Sequence, residues 1–257
     1  MARVIGLVNQ KGGTGKSTTA VNLASYLAAF GKYVLLVDID PQANATSGIG
    51  VNPYKVSSNV YHSMMAGVLP NEVIRETGIF GYHVMPASSD LAGAAVELVS
   101  LKNREGRLYD VIKKIRTDYD YVLIDCPPSL GLLTINGLVA SDELIIPVQC
   151  EYYALEGLSQ LLRTIDLVDD HFDKDIKIKG ALLTMYDKRN RLSRQVKKEV
   201  ERNFRGYVFE ALIPRCVKLA EAPSFGQAIL QHDSHSRGAK AYKQLAQEII
   251  ELDKKEE

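Results

Sequence analysis

The chain has 257 residues, 31 of them basic and 31 acidic, so its formal net charge at pH 7 is zero. This balance excludes a protein that attracts nucleic acid through its total charge, and any such surface has to come from local asymmetry. The longest apolar runs, at 33–37 and 144–148, are far too short to span a bilayer. The three cysteines are widely spaced, without metal-ligand pairing, and are interpreted as buried thiols in the reducing cytoplasm.

A glycine-rich loop follows a strand predicted at 3–9 and precedes a helix predicted at 16–29. Its sequence is Lys11-Gly12-Gly13-Thr14-Gly15-Lys16-Ser17-Thr18. The glycines let backbone N–H groups close around phosphate oxygens, and the helix points its positive end at the same anion. Lys16 is therefore predicted to reach the β- and γ-phosphates, and the Ser17 hydroxyl to bind Mg²⁺. The loop as a whole is predicted to bind a nucleoside triphosphate.

Two later strands end in carboxylates. The strand predicted at 33–38 continues into Asp38-Ile39-Asp40-Pro41-Gln42, and the strand at 121–125 ends in Asp125. An aspartate after a strand is about as often a turn or helix-capping residue as a functional one. Parallel strands, however, present their carboxyl ends at one edge of a sheet, where the phosphate loop is also expected.

Apolar, β-branched runs alternate with helical patterns along the whole chain. Further strands are predicted at 82–86, 144–148, 178–184 and 211–214, and further helices at 107–116, 155–170, 192–204 and 238–252. Strands that are hydrophobic on both sides are typical of a mostly parallel central sheet with helices on both faces. The sequence therefore predicts a single α/β domain over 1–257, in which the loop at 46–58 is a candidate for mobility.

The phosphate loop departs from the standard pattern, which has glycine six residues before its lysine. Gln10 occupies that position, and a second lysine, Lys11, follows it. This sequence resembles the deviant Walker A box of the ParA/MinD class of dimerising ATPases. The resemblance implies a P-loop NTPase that uses ATP and Mg²⁺ and forms an ATP-dependent homodimer. It also implies catalytic roles for Lys16 and for Lys11, which would reach the partner subunit's nucleotide.

Segments at 147–157, 213–215, 221–226 and 236–239 extend the resemblance to chromosome-type ParA (Soj) proteins over nearly the whole chain. In that family the aspartate before Pro-Gln helps to position the attacking water, which implies this role for Asp40. Asp125 ends a Walker B-like strand and would lie near Mg²⁺. Glu151 would face the dimer interface near the nucleotide, and Pro214 with Arg215 would line the adenine pocket, although a proline that ends a strand commonly has no further role.

Basic residues concentrate between 186 and 218, where ten basic and four acidic residues give a local net charge of plus six. Such a patch attracts phosphates without reading bases. For a single helix of this composition, a solvated face is the commoner explanation. ParA proteins, however, bind DNA nonspecifically through basic residues of this half once they dimerise. The resemblance therefore implies that Lys218 and either Arg189 or Arg191 bind DNA, and Lys218 stands where many relatives carry arginine.

The function implied by the resemblance is ATP-dependent chromosome or plasmid partitioning. The homodimer would bind double-stranded DNA nonspecifically and be released when a ParB-like centromere-binding partner stimulates hydrolysis, so the protein would be cytoplasmic and nucleoid-associated. Because the first strand begins at residue 3, no N-terminal helix-turn-helix extension is expected, and neither is specific operator binding.

Three other classes of protein share the phosphate loop. A MinD-like positioning ATPase would need a C-terminal basic amphipathic helix, whereas 251–257 is mixed in charge, so no membrane partner is expected. A nitrogenase iron protein needs paired cysteines, which this chain does not match convincingly. A metabolic kinase or synthetase needs an acceptor pocket, and no residue pattern identifies one. His232 and His235 lack a nearby third ligand, which favours structural roles over a metal site.

Overall fold

The computed structural model describes residues 1–151, 154–172 and 174–256, the side chains of 154, 155 and 256 excepted. These residues form a seven-stranded sheet in the order β3-β4-β2-β5-β1-β6-β7. The strands are β1 (Arg3–Leu7), β2 (Val34–Asp38), β3 (Arg75–Glu76), β4 (Tyr82–Met85), β5 (Tyr121–Asp125), β6 (Glu143–Gln149) and β7 (Lys177–Thr184). All neighbours pair in parallel except β3, which is antiparallel to β4. The predicted mostly parallel sheet is confirmed.

Helices cover both faces of the sheet, as predicted. They are α1 (Lys16–Ala29), α2 (Asn44–Gly48), α3 (Val60–Met65), α4 (Pro70–Val73), α5 (Asp90–Glu97), α6 (Arg107–Lys113), α7 (Leu132–Ala140), α8 (Ala154–Phe172), α9 (Arg191–Asn203), α10 (Val217–Glu221), α11 (Ile229–His232) and α12 (Arg237–Glu256). One apolar cluster packs α3 to α9 against one face, and a second packs α1 and α10 to α12 against the other. Successive strand residues alternate between the clusters, because side chains of a strand point to opposite faces.

The strand predicted at 211–214 is wrong. In this segment Pro214 forms an isolated bridge to Tyr186, just beyond β7, and the Ile213 N–H donates to the Leu183 carbonyl of β7 at 3.0 Å. The Glu248 carboxylate of α12 accepts hydrogen bonds from the backbone N–H groups of Glu210 and Ala211, at 2.7 and 3.0 Å. Pro214 has no N–H to offer. The single Ile213 bond is therefore not extended into a ladder, because α12 uses the Ala211 N–H and Pro214 has none.

Two contacts fix the C-terminal helix α12. The Thr19 hydroxyl of α1 lies 3.1 Å from the Tyr242 hydroxyl of α12, inside the core. Near the end of α12, the Asp253 carboxylate lies 2.6 Å from the buried Lys179 ammonium of β7. Lys179 also lies 3.0 Å from Glu143, the first residue of β6. The C-terminal helix is thus pinned both to α1 and to the sheet. Within the described ranges, no helix combines the length and apolar composition needed to cross a membrane.

Candidate nucleotide site

The glycine-rich loop lies at the carboxyl end of β1, the strand between β5 and β6. Gly13 and Gly15 have φ of +74° and +91°, in the left-handed region that favours glycine. The Thr14 carbonyl accepts a 2.8 Å hydrogen bond from the Thr184 hydroxyl at the end of β7, which anchors the loop. No side chain caps the N-terminus of α1. Its first N–H groups are therefore available to an anion.

A cavity of about 520 Å³ opens above the loop. This volume falls within the range of about 300–1,000 Å³ typical of small-molecule and cofactor sites. It is lined by seven of the predicted residues: Gly12, Gly13, Gly15, Lys16, Ser17, Thr18 and Asp40. The opposite wall comes from α10 and the turn after it, including Leu219, Ala222 and Pro223. The sequence had indicated 221–226 only as a family segment, without a role in the cavity.

Lys16 is the buried lysine of the loop. Its side-chain nitrogen donates to the Lys11 carbonyl at 3.4 Å. Burial lowers the pKa of Lys16, and the carboxylates of Asp125 and Asp40 oppose that shift. The site therefore holds a positive charge close to where the phosphates of a nucleotide would lie.

Lys11 points away from the cavity, toward its rim. Its ammonium lies 2.9 Å from Glu151 Oε2, and the two side chains are 44% and 46% exposed. The Arg215 guanidinium lies 4.0 Å from the other Glu151 oxygen. Three predicted residues are thus brought together across a large sequence separation. Because ion pairs this exposed contribute only about 0–1 kcal/mol, the cluster can open readily.

Asp125 ends β5, and Asp40 lies two residues after the end of β2, the strand next to β5 in the sheet. Asp40 is buried against the cavity, and its Oδ1 accepts a 2.9 Å hydrogen bond from the Gln42 N–H. Asp125 is fully buried, and neither of its carboxylate oxygens has a hydrogen-bond partner. Burial raises the pKa of Asp125, and the charge of Asp38 adds to the rise; the nearby Ser17 hydroxyl, although outside hydrogen-bond geometry, and the Lys16 ammonium oppose it.

The unsatisfied Asp125 carboxylate fits a hard cation. A buried acceptor without a partner is costly, and oxygen ligands from a carboxylate and a hydroxyl suit Mg²⁺. Among the described residues, no group of three or more His, Cys, Asp or Glu side chains could hold a metal by itself. That agrees with Mg²⁺ sites, which take few protein ligands and complete their shell with phosphate and water.

Pro214 and Arg215 do not line the cavity but precede α10, which does. Pro214 forms the bridge to Tyr186, next to Met185 at the cavity wall. Met185 has φ of +52°, which is unusual for a residue with a side chain. The predicted adenine-pocket residues thus lie beside the cavity wall, and the apolar side chains there belong to Met185 and Leu219.

Of the predicted DNA-binding residues, Arg189 lies on the loop between β7 and α9 and Lys218 lies in α10, each shortly after one of the two bridged residues. Arg189 is 84% exposed and 3.3 Å from Asp187, whereas Lys218 lies 2.8 Å from Glu221. The bond from Glu221 raises the pKa of Lys218. Arg191 is the exposed first residue of α9. Arg189 therefore lies four residues after the cavity-lining Met185 and Lys218 one residue before Leu219, and each of the two is paired with a carboxylate nearby in the chain.

His232 and His235 both contact neighbouring side chains. His232 stacks on Phe225 and lies 3.6 Å from Glu221. His235 is bonded to the Ser234 hydroxyl at 3.2 Å.

The comparison with protein families matches residues 2–178 to the AAA domain model. The chain is 52% identical to the sporulation initiation inhibitor protein Soj of Bacillus subtilis (strain 168), over 97% of this chain and 98% of that protein. It is 48% identical to the chromosome partitioning protein ParA of Myxococcus xanthus (strain DK1622), over 98% of this chain and 89% of that one.

Among solved structures, the fold is similar to that of cobyrinic acid a,c-diamide synthase from Mycobacterium smegmatis with bound ADP and magnesium. The TM-score is 0.88 at 37% sequence identity, and the match covers 100% of this chain and 97% of that one. The likeness thus extends from β1 through the C-terminal helix.

Proposed function

The chain belongs to the Soj/ParA family of chromosome-partitioning ATPases, and we propose that its ATP-bound homodimer holds DNA nonspecifically and releases it after hydrolysis. One observation carries this proposal: Arg189 and Lys218 belong to the chain segments that line the cavity, four residues after Met185 and one residue before Leu219. A change in the nucleotide therefore acts on the same backbone that presents the basic patch.

The cofactors are ATP and Mg²⁺. The backbone N–H groups of 12–18 would bind the phosphates, and Lys16 would offset the charge of the β- and γ-phosphates. Ser17 and Asp125 would hold Mg²⁺, which supplies charge neutralisation at the phosphates when bound. The unpartnered oxygens of Asp125 support this assignment.

Asp40 would position the attacking water. Its carboxylate lines the cavity, and the bond from the Gln42 N–H fixes one oxygen while the other remains able to accept from water. Hydrolysis needs such an acceptor near the γ-phosphate, and binding of ATP does not.

Dimerisation would depend on Lys11. In the single chain its ammonium is held by Glu151, and the exposure of that pair leaves it free to exchange Glu151 for the phosphates of the partner's nucleotide. The partner's charge then completes the site, which is the kind of contribution that stabilises charge developing during phosphoryl transfer.

DNA binding would use Arg189, Arg191 and Lys218 of both subunits. Two patches on one rigid body raise the effective concentration for the second contact, so the dimer binds far better than the single chain. A ParB-like partner would stimulate hydrolysis and thereby release the protein, which we place in the cytoplasm in association with the nucleoid.

The test compares gel filtration and binding to random-sequence duplex DNA with ATP and with ADP. We expect a dimer and a DNA shift with ATP only. Liposome flotation under the same conditions tests the alternative, that the ATP-bound protein binds membranes. Binding to liposomes without binding to DNA, or DNA binding that is equal with ADP, would overturn the proposal.

A further inference from the structure

Asp38 ends β2, and its side chain is completely buried. Its Oδ1 accepts a hydrogen bond from the Asp40 N–H at 3.1 Å, and its Oδ2 accepts from the N–H and the hydroxyl of Thr46 at 2.8 and 2.7 Å. Burial raises the pKa of Asp38 to about 6, and the bonds from Thr46 and Asp40 oppose the rise by favouring the ionised form. Both oxygens of the carboxylate thus accept hydrogen bonds from the protein.

These bonds enclose the loop between β2 and α2. Asp40 and Gln42 of that loop line the nucleotide cavity, together with Asn44, the first residue of α2. Ala43 has φ of +51°, a left-handed conformation that is costly for a residue with a side chain. A loop in such a conformation persists only where its surroundings hold it, and Asp38 binds both ends of it.

Thr46 extends the connection to the next strand. Its hydroxyl accepts a 2.9 Å hydrogen bond from the Ala87 N–H, just after β4. On the other side, Asp38 pairs in register with Asp125 of β5. Asp38 therefore lies between the carboxylate assigned to Mg²⁺ and the one assigned to the attacking water.

We propose that Asp38 is a positioning residue for ATP hydrolysis, which holds the Asp40 backbone directly and the start of α2 through Thr46. The proposal rests on the role assigned to Asp40. Nucleotide affinity comes from the loop at 12–18, which Asp38 does not contact through any of the three bonds described. Loss of the Asp38 bonds should therefore slow hydrolysis and leave ATP binding largely intact.

Asp38→Asn is the direct test. The amide has the size of the carboxylate, but one acceptor oxygen becomes an NH₂ group, which cannot accept from either the Asp40 N–H or Thr46. Because a misplacement of about 1 Å can cost about 100-fold in rate, we expect single-turnover hydrolysis to slow by about 10- to 100-fold. The dissociation constant for a non-hydrolysable ATP analogue should change by less than about threefold, so that the loss falls on kcat.

A pair of Thr46 variants supplies a second test that does not alter a buried charge. Thr46→Val removes the hydroxyl at nearly constant shape, and Thr46→Ser restores it. We expect slower hydrolysis by Thr46→Val and wild-type hydrolysis by Thr46→Ser, with analogue affinity unchanged in both. If Asp38→Asn does not fold, this pair decides the question.

The proposal is overturned if Asp38→Asn or Thr46→Val hydrolyses ATP at the wild-type rate, or if analogue affinity falls in proportion to the rate. Asp40→Ala in the same assay separates two failures. Wild-type hydrolysis by Asp40→Ala would remove the role of Asp40 itself. An inactive Asp40→Ala beside a fully active Asp38→Asn would remove only the positioning role of Asp38.

Discussion

Two lysines of one loop, five positions apart, have opposite environments. Lys16 is buried beside Asp125 and Asp40, whereas Lys11 is half-exposed and paired with Glu151. A buried ammonium whose phosphate partner is in the same chain contributes to binding. An exposed one whose partner is in another chain contributes to assembly. The two substitutions should therefore fail in different ways.

Lys11→Ala should bind ATP with near wild-type affinity but remain a monomer in sedimentation with ATP and Mg²⁺. The reason is that its ammonium faces the rim and not the cavity. Lys16→Ala is the matched control, and it should lose tight ATP binding in equilibrium titration. A Lys11→Ala protein that forms an ATP-dependent dimer and turns over normally would contradict the assignment.

Asp40→Ala should bind ATP and accumulate as a long-lived dimer with little turnover. Its carboxylate lines the cavity as an acceptor, and the phosphate-binding groups of 12–18 are unchanged by its loss. Gel filtration after ATP addition measures the dimer, and single-turnover hydrolysis measures the chemical step. Dissociation of the dimer at the wild-type rate would count against this role.

The basic patch lies on the loop between β7 and α9, at the start of α9, and in α10. Arg189→Glu together with Lys218→Glu should eliminate DNA binding by the ATP-bound protein while ATP-dependent dimerisation survives, because neither side chain lines the cavity. For the wild type, log K should fall by about 0.9 per neutralised phosphate for each tenfold increase in salt. Fluorescence anisotropy with random duplex at several salt concentrations measures both.

Lys113→Glu with Lys114→Glu makes the same change in net charge at exposed positions near the end of α6. This control should retain DNA binding at physiological salt. Equal losses in the two double variants would mean that total charge, and not the patch, governs binding.

Local patterns predicted the elements whose causes are local. The glycine-rich loop, β1 and α1 follow from residues within 30 positions of one another, and the structure has them where the sequence indicated. The segment at 211–214 was predicted as a strand from its local apolar character. Glu248, which accepts the hydrogen bond of the Ala211 N–H, lies 37 residues further along the chain. The helix α7 gave no amphipathic signal, since it is buried on most sides and begins at Gly131 without a side-chain cap.

The candidate site divides in the same way. Lys16, Ser17 and Asp40 follow from motifs, but the ion pair of Lys11 with Glu151 spans 140 residues and was not predicted. The hydrogen bonds of Asp38 were not predicted at all. An aspartate at a strand end carries no mark of whether its oxygens will face a ligand or the protein.

At the scale of the whole molecule, a buried ionic cluster ties the C-terminal helix to the sheet. Lys179, Glu143 and Asp253 are almost completely buried in their ion pairs. The Arg3 guanidinium lies 3.7 Å from Glu143 and 3.4 Å from Asp253, so Asp253→Ala would leave two cations, Lys179 and Arg3, with one carboxylate. Because removal of one partner from a buried pair leaves an uncompensated charge, we expect a loss of about 2–4 kcal/mol in the free energy of unfolding. Urea denaturation measures it.

Lys254→Ala is the neighbouring control, since Lys254 is exposed on the same helix. It should change the free energy of unfolding by less than about 0.5 kcal/mol. If both variants unfold at the wild-type urea concentration, the cluster does not stabilise the docking of α12.

The order of strands in the sheet also determines what a ribosome-bound chain can do. β1 leaves the ribosome first, yet its neighbours are β5 and β6, so it has no partner until residues 121–149 have been made. At about 5–20 residues per second, this wait lasts on the order of ten seconds. The cavity wall at α10 arrives later still. A fragment from interrupted synthesis before residue 121 therefore contains the whole phosphate loop but neither Asp125 nor a paired β1, and it cannot sequester ATP or occupy the dimer interface of complete subunits.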